Sequence, residues 1–423
     1  MPTSGRYTLL ILTAILAVNQ LDRNILGILL EQIGQEFSLS DTQLGLLSGV
    51  LFVAVYVLFG FPVAKLAARG NRRNIIAASA AVWSALTIAM AGAQNFLQLA
   101  LARLGVGIGE AGAVVPAHSM ISDLYPPKKR TSAMATFVVG ANIGVLLAFL
   151  IGGIAGQFLG WRWALVIAGV PGLVLALLMW LTVNEPPRAV SASSPQKTSL
   201  LIEALKAIWS DKGLFHTMLG VAVTGIVTFG GLAWSATFII RVHELSQLQT
   251  GVFLAFTIGI LGGLTTFASG KLADRLGASN PRWRFGIVIA AILLAKPFVV
   301  GFLLLESTVA ALAMMAVSVS VASVFWGPSY AFLHGRVRPD LRPMATAIYM
   351  FAFNMIGVGI GPTVIGIASD MLFADAGPRS LGYAILLVQI AGIWAAWHYW
   401  QAMKTMVPER DTIDAALTTE RVP

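Results

Sequence analysis

The chain has 423 residues, of which 57% are hydrophobic and only 11% are charged, with a formal net charge of +9. Soluble domains carry about 25% charged residues, so this composition excludes an ordinary soluble protein and predicts a protein that crosses the membrane many times. The absence of cysteine excludes disulfides, thiol chemistry and cysteine-based metal sites.

Apolar runs predict an all-α membrane protein with twelve transmembrane helices, because each run can cross about 30 Å of hydrocarbon. The longest polar interruption divides them into two sets of six, which predicts two pseudo-symmetric six-helix bundles. The runs cover residues 6–30, 42–68, 74–93, 96–124, 131–159, 161–183, 214–240, 250–273, 283–305, 309–333, 343–372 and 380–400.

The domain boundaries follow from this pattern. We predict an N-terminal bundle over 1–183, a linker over 184–213, a C-terminal bundle over 214–403 and a tail over 404–423. The linker is rich in Ser and Pro and contains a short amphipathic stretch from Leu200 to Trp209. This pattern predicts a flexible connection that carries a helix on the membrane surface.

The basic residues predict the orientation of the chain. Three of the 28 lysines and arginines lie mid-membrane and three lie outside, so the other 22 fall in or beside segments on one side of the membrane. Because basic residues favour the cytoplasmic side, both termini are predicted to be cytoplasmic. The basic clusters are then expected to meet anionic lipid headgroups and not nucleic acid.

Two of the apolar runs each carry an acid and an arginine far from their ends, where charge is least tolerated. They are Asp22 and Arg23 in the first run and Arg103 and Glu110 in the fourth. A charge at such a depth costs about 2.5 to 3.5 kcal/mol on insertion scales, so it persists when it is paired or faces a wet cavity. The set therefore predicts a path for protons and an anionic substrate.

The surroundings of these charges suggest separate roles. Glu110 lies between Gly109 and Ala111, so its carboxyl should favour the neutral form and is the predicted proton carrier. Asp22, beside Arg23 and level with Arg103, should remain ionised as a gate or second proton site. The two arginines could bind an anionic head by bidentate hydrogen bonds. The alternative is a static cluster of ion pairs that clamps the first and fourth helices.

The two halves repeat one another. Residues 64–69 read AKLAAR and residues 270–275 read GKLADR, at an offset of 206. Arg130 and Asn142 recur as Arg342 and Asn354 at an offset of 212. Parallel six-helix repeats with a site at their interface are typical of major facilitator carriers. The second loop copy resembles the loop signature of that superfamily, whereas Ala68 replaces its usual Asp. Residues expected to act in these conformational loops are Arg69, Arg72, Arg73, Asp274 and Arg275.

Several other chemistries have no sequence support. The chain has no G-x-x-x-x-G-K-[ST] phosphate loop, no H-E-x-x-H helix and no cluster typical of a metal site or a nucleophilic triad. We therefore predict a protein that is not an enzyme, that binds no cofactor or metal, and that uses a proton gradient as its energy source.

Two segments resemble the Spinster branch of the major facilitator superfamily. They are NQLDR at residues 19–23 and RLGVGIGEA at residues 103–111. The resemblance implies export of lysophospholipids or sphingosine phosphates, with Asp22 and Glu110 handling protons and Arg23 and Arg103 gating or binding the head. It further implies a monomer in a bacterial inner membrane. Residues expected to line the substrate cavity are Asn19, Trp234, Trp326, Tyr330 and Asn354.

Two other functions remain open from the sequence. Proton-coupled symporters of sugar acids also resemble the Asp22-Arg23-Asn24 segment and the Arg–Glu spacing of the fourth run. The expected cavity helices of the second half offer many aromatic residues and few amides, which favours a lipid over a sugar. A channel or scramblase would show flux that does not depend on a gradient.

Overall fold

The computed structural model describes residues 4–188 and 197–406, and every regular element in these two ranges is helical. The first part of the chain forms α1 (Gly5–Phe37), α2 (Asp41–Ser48), α3 (Val50–Arg69), α4 (Arg72–Met90), α5 (Phe96–Glu110), α6 (Val114–Leu124), α7 (Pro127–Phe158) and α8 (Trp161–Thr182). The second part forms α9 (Lys197–Ser210), α10 (Lys212–His243), α11 (Gln247–Leu254), α12 (Gly262–Ser279), α13 (Trp283–Leu304), α14 (Thr308–Ala322), α15 (Trp326–Arg336), α16 (Arg342–Ala352), α17 (Gly361–Leu372), α18 (Ser380–Gln389) and α19 (Ala391–Lys404).

Within the described residues, eleven helical segments are long and apolar enough to cross a membrane. A shorter apolar helix, Thr308–Ser320, corresponds to the start of the tenth predicted run. That run is divided by a 3₁₀ turn at Ser323–Phe325, and α15 begins immediately after it. Pro328 lies in the first turn of α15, where its missing N–H is tolerated. The prediction of an integral membrane protein built from helices is confirmed.

Other breaks interrupt the predicted spans, among them a turn at residue 390 between α18 and α19 in the twelfth. The second span bends at Gly49, between α2 and α3, and the fourth is interrupted by a turn at residues 111–113. Two π-helical segments, Ala255–Leu261 and Phe353–Ile360, interrupt the eighth and eleventh spans. π-Helical turns and helix breaks are common at functional sites.

The repeat extends further than the loop motifs. Ser40 and Ser246 cap their helices in the same way, since each accepts from the backbone N–H of a Gln three residues later and completes a capping box. These two serines are 206 residues apart, as are Gly49 and Ala255, where the two spans depart from α-helical geometry. The second and eighth spans are therefore built alike.

The chain groups into two compact units by its contacts. The first unit contains residues 1–193, 230–260 and 358–384, and the second contains residues 194–229, 261–357 and 385–423. The first unit thus holds the first six spans together with the second part of α10 and all of α11 and α17. Within it, α11 packs against α7, α17 packs against α2, and Arg241 of α10 pairs with Glu31 of α1. The units do not coincide with the predicted sequence halves, and the predicted domain boundaries stay a prediction.

We call the side of the membrane on which α1 begins the inner side, which the sequence predicts to be cytoplasmic. The linker helix predicted over 200–209 lies within α9, where Ala204 and Ile208 are buried. Its position on the membrane surface stays a prediction. The Ser/Pro-rich stretch 191–195 and the tail from residue 407 lie outside the described residues.

Candidate functional site

The four predicted charges lie in the first unit, on α1 and α5. Asp22, Arg103 and Glu110 are almost fully buried, and the side chain of Arg23 is 20% exposed. Neighbouring residues on a helix point about 100° apart, so Asp22 and Arg23 reach different partners. Asp22 points to α4, whereas Arg23 points to α5 and α3.

Arg23 and Glu110 form the ion pair at the centre of this cluster. The Arg23 Nε donates to Glu110 Oε2 at 2.5 Å, and the Glu110 side chain is 0% exposed. The guanidinium carbon of Arg23 lies 4.3 Å from the ring centre of Tyr56 and 5.1 Å from that of Phe52. No cation adjoins Glu110 in the sequence, and α1 brings Arg23 to it from a different span.

The Asp22 carboxylate accepts a hydrogen bond from a neutral side chain. The Thr87 hydroxyl on α4 donates to Asp22 Oδ2 at 2.6 Å, and Thr87 is itself fully buried. Among the described residues, no Lys, Arg or His nitrogen lies within 4.0 Å of the Asp22 carboxylate, as the ion pairs of the molecule show. In the described part of the chain, the Asp22 carboxylate therefore contacts a hydroxyl group and not an arginine.

Arg103 is a buried cation without a close carboxylate. It is 2% exposed. Its Nε donates to the Leu47 carbonyl over a long distance of 3.4 Å. Its guanidinium carbon lies 4.5 Å from the centre of the Phe52 ring, which also contacts Arg23. Each cation is attracted to the negative face of that ring, which offsets part of their mutual repulsion. Asp22 and Glu110 are within electrostatic range of Arg103 but not in contact with it.

The predicted cavity residues of the second half separate into two groups. Trp326 stacks on Tyr330 with ring centres 5.7 Å apart and meets Phe353 edge-on at 4.5 Å, so these residues form an aromatic cluster in the second unit. Trp234 lies in the first unit, where it is fully buried and its indole N–H donates to the Pro362 carbonyl at 2.9 Å. Asn354 donates to Met350 O within its own helix.

The inner loop motif is tied to the start of the linker. Arg72 is 2% exposed, pairs with Asp123, and donates from Nε to Glu185 Oε1 at 2.7 Å. Glu185 also accepts from the backbone N–H of Arg73 at 2.8 Å. These contacts all lie within the first unit, so they hold its inner loops together.

Arg188 contacts the backbone at the position where the first loop motif differs from the signature that it resembles. The end of α3 carries Ala68 in place of the usual Asp, and Arg188 donates to the carbonyls of Ala67 and Ala68 there. A guanidinium at this position satisfies carbonyls that the helix end leaves free. Arg69 and Arg275 are exposed, and the side chain of Asp274 lies outside the described residues.

Lys296 is the fifth charge within a predicted span. Its Nζ donates to Gln389 Oε1 at 2.6 Å in the second unit. The lysine therefore has a neutral side-chain partner, and Pro297 follows it in α13. In the part of the chain that the structure describes, no three His, Asp or Glu side chains are placed to hold a metal ion.

A second polar cluster, which sequence reasoning missed, lies at the outer ends of helices in the first unit. Arg241 of α10 donates from Nε to Glu31 Oε2 at 2.6 Å and lies 2.8 Å from Asp41 Oδ1. Ser369 donates to Asp41 Oδ2 at 2.7 Å, and Asp370 accepts from backbone N–H groups at the start of α2. We call these five residues the outer network. It joins spans of the first half of the chain to spans of the second.

Glycines allow the backbones around the outer network to touch. A Cβ atom added to Gly153 of α7 would lie 3.0 Å from the Cα of Gly251, and one added to Gly366 would lie 2.2 Å from the Asp41 carbonyl oxygen. A Cβ on Gly49 would lie 2.4 Å from the Gly359 carbonyl oxygen. The close approach of these helices therefore requires glycine.

Comparison with known proteins identifies a family and several relatives that share this sequence pattern. A family model described as Major Facilitator Superfamily matches residues 12–362. An "MFS-type efflux pump" of Mycolicibacterium smegmatis is 32% identical over 410 residues, which cover 96% of this chain and 94% of the relative. "Protein spinster homolog 1" of Homo sapiens is 27% identical over 419 residues, covering 92% of this chain and 79% of the relative.

A solved structure shows the same fold over nearly the whole chain. It is the crystal structure of a bacterial homologue of the human lysosomal transporter Spinster, in an inward-facing and unoccupied conformation. It has a TM-score of 0.84 and 29% sequence identity, and the match covers 95% of this chain and 97% of that one. These findings confirm the predicted major facilitator fold and the resemblance to the Spinster branch.

Proposed function

The chain belongs to the Major Facilitator Superfamily of transporters, and we propose that it is a proton-coupled carrier of an amphiphilic anion, such as a lysophospholipid or a sphingosine phosphate. It is a membrane transporter related to Spinster proteins and not an enzyme. We further propose that it works as a monomer in a bacterial inner membrane, with both termini in the cytoplasm. Its energy source would be the proton gradient, without a cofactor.

The observation that carries this proposal is the environment of Arg103. A guanidinium offers five N–H donors, yet Arg103 is buried with one long hydrogen bond to a carbonyl and no carboxylate in contact among the described residues. Burying a charge is costly unless it is paired. An anionic headgroup that bound here would supply the missing partner through charge-assisted, bidentate hydrogen bonds.

The Arg23–Glu110 pair supplies a physical means of coupling. When Glu110 takes up a proton, its Oε2 stops being an anionic acceptor for the Arg23 Nε, which lies 2.5 Å away. Arg23 then becomes a second cation available to the substrate head. Loss of the proton restores the ion pair and displaces the anion. Proton binding and anion binding are thus linked by competition for one guanidinium.

The aromatic cluster of the second unit favours a substrate with an apolar part. The rings of Trp326, Tyr330 and Phe353 contact one another, and the Asn354 amide is engaged within its own helix. A sugar acid would need several hydrogen-bond partners, because a buried hydroxyl without one costs about 1 to 3 kcal/mol on protein mutational scales. An alkyl chain makes no such demand.

A ligand comparison in proteoliposomes tests the substrate class. We expect a lysophospholipid to accumulate against its gradient when a pH gradient is imposed, and a sugar acid such as glucuronate to show no uptake above that of empty vesicles. Uphill uptake of the sugar acid alone would make the chain a small organic-anion symporter. Lysolipid movement that is equally fast without a pH gradient would make it a channel or scramblase.

Arg103→Ala is expected to weaken the binding of anionic ligands more than that of neutral ones. The loss should be about 1.5 to 3 kcal/mol, or roughly 10- to 150-fold in affinity, because a hydrogen bond to a charged group is removed. Lysophosphatidic acid and monoacylglycerol with the same acyl chain form a suitable pair for a binding assay in detergent. An equal loss for both ligands would show that Arg103 has only a structural role.

A further inference from the structure

The fourth span breaks directly beside Glu110. The helix α5 ends at Glu110, a turn occupies residues 111–113, and α6 starts at Val114 without a side-chain cap. The backbone hydrogen bonds across this turn are long, at 3.4 Å from Gly112 N to Gly109 O and 3.3 Å from Ala113 N to Glu110 O. The carboxyl therefore lies at a point where the helix leaves space for other groups.

A narrow crevice lies on the inner side of this break. It lies within the first unit and has room for about one water molecule. Its walls are mainly apolar, from Leu12 and Leu16 of α1, Ala113 and Ala117 beside the break, and Phe137 of α7. Asn19 is the polar residue that lines it.

Buried polar atoms without protein partners occur on Asn19 and on the neighbouring Arg23–Glu110 pair. Asn19 is 0% exposed, and neither its Nδ2 nor its Oδ1 forms a hydrogen bond to a described residue. The same is true of Glu110 Oε1 and Arg23 Nη2. Asn19 lies one helical turn before Arg23 and is near enough to Glu110 to interact with its carboxyl. Buried polar groups are normally satisfied, so these four atoms point to a small polar ligand.

We propose that this crevice is the inner proton entrance to Glu110, and that Asn19 positions the water molecule that delivers the proton. The amide can accept a hydrogen bond from the water through Oδ1 and donate one through Nδ2. A hydronium ion at this position gives one proton to Glu110 Oε1. An O–H bond forms on the carboxyl, an O–H bond of hydronium breaks, and a neutral water molecule remains. Asn19 itself neither gains nor loses a proton.

The charged groups around Glu110 allow this transfer. Arg23 contacts Oε2 at 2.5 Å and leaves Oε1 free. Asp22 and Arg103 act on the carboxyl only at longer range, and Tyr56 of α3 contacts the far side of Arg23. Oε1 is therefore the oxygen that a proton arriving through the crevice would meet.

His118 lies next to the crevice lining. It lies on α6 one residue after Ala117, is exposed, and packs edge-on against Phe137 with ring centres 5.1 Å apart. Its Nδ1 lies 2.8 Å from the Val114 carbonyl. His118 therefore places an exposed polar ring beside two residues of the crevice wall, Ala117 and Phe137.

The test is a rate measurement and rests on the proposed proton coupling. In proteoliposomes, Asn19→Leu should slow pH-gradient-driven lysolipid flux by about tenfold or more, since positioned proton transfer contributes about 10²- to 10⁴-fold. Substrate exchange without net proton movement is measured in parallel. Because Asn19 is also expected to line the substrate cavity, an unchanged exchange rate is expected only of Ala117→Val, which leaves the predicted cavity residues intact. Asn19→Ser, which retains a polar group and leaves room for a further water molecule, should recover most of the driven flux.

A second variant changes another residue that lines the crevice. Ala117→Val should narrow it and slow driven flux without altering Asn19, whereas the same change at Ala133, buried on α7 outside the crevice lining, should not. This pair keeps the test valid should Asn19→Leu fail to fold.

The outcomes separate this inference from the proposed function. Normal driven flux in Asn19→Leu or Ala117→Val would overturn the crevice as the proton entrance, while loss of coupling in Glu110→Gln would still support the carrier. Equal losses of driven flux and exchange in both Asn19 variants would show a structural role for Asn19. Unchanged coupling in Glu110→Gln would overturn the proposed function and this inference together.

Discussion

Glu110→Gln is expected to abolish pH-gradient-driven accumulation of the substrate while substrate exchange continues. The wild-type carrier, with one proton per substrate, can sustain about tenfold accumulation for each pH unit, because a tenfold ratio and one pH unit both correspond to about 1.4 kcal/mol. The variant should equilibrate its substrate across the membrane and stop there. Inside and outside concentrations of lysolipid in proteoliposomes give this ratio directly.

The expected result follows from the contacts of the carboxyl. Gln keeps the size of Glu and retains an oxygen that can accept from Arg23 Nε, so the local fold should persist. It cannot take up or release a proton, and it cannot compete with an anion for Arg23 as a carboxylate does. Arg23 therefore stays available to the substrate in both facing states, which preserves exchange and removes coupling.

Two control variants make the experiment specific. Glu36→Gln makes the same change at an acid near the outer end of α1. Glu36 is 40% exposed and pairs with Arg162, so this variant should leave coupling intact. Glu110→Asp keeps an ionisable group and should retain partial coupling. If Glu110→Gln still accumulates substrate tenfold, the proton is carried elsewhere, and Asp22 beside Thr87 becomes the first alternative.

The sequence predicted which charges are buried, but not how they pair. A carboxylate in an apolar run is visible from composition alone, and this identified Asp22 and Glu110. Their partners come from other spans, and pairing depends on the rotation of each helix about its axis. Periodicity could not fix that rotation for α1, which is apolar on nearly every face. Thr87 and Phe52, which complete the cluster, carry no sequence signal that separates them from ordinary packing residues.

The outer network escaped prediction for a related reason. Glu31 lies near the end of α1 and Asp41 at the start of α2. From their sequence positions, both acids would be expected to face solvent. Their burial, with 7% and 6% exposed, arises only when α10 and α17 cover them. The repeat does contain a relevant pattern. The matched Ser-x-x-Gln segments at Ser40 and Ser246 indicate where the second and eighth spans begin on the outer side.

Arg241→Gln is expected to release the contacts between spans of the first and second halves at the outer side. Removing one member of a buried ion pair costs about 3 to 5 kcal/mol, because its partner is left as an uncompensated charge. Here two acids, Glu31 and Asp41, lose their cation at once. Any state in which these acids reach water avoids that cost, so the variant should populate a state open to the outside.

The absence of cysteine makes this opening measurable. Ile28 is 0% exposed, and its backbone carbonyl accepts from Gln247 Nε2 at 2.5 Å beneath the outer network. A single Ile28→Cys substitution therefore gives a unique thiol that a membrane-impermeant maleimide reaches only when the outer contacts separate. We expect Arg241→Gln to raise its labelling rate by tenfold or more, since about 1.4 kcal/mol of the lost pairing suffices for that factor.

Arg162→Gln provides the matched control. Arg162 is also an outer arginine with a carboxylate partner, Glu36, but both lie in the first six spans, and the pair is well exposed. Exposed pairs contribute about 0 to 1 kcal/mol, so labelling of Ile28→Cys should change little in this variant. Equal labelling in the Arg241 and Arg162 variants would show that the glycine contacts between α7 and α11 hold the outer side closed without the ion pairs. In that case Gly153→Val, which forces these backbones apart, should open it instead.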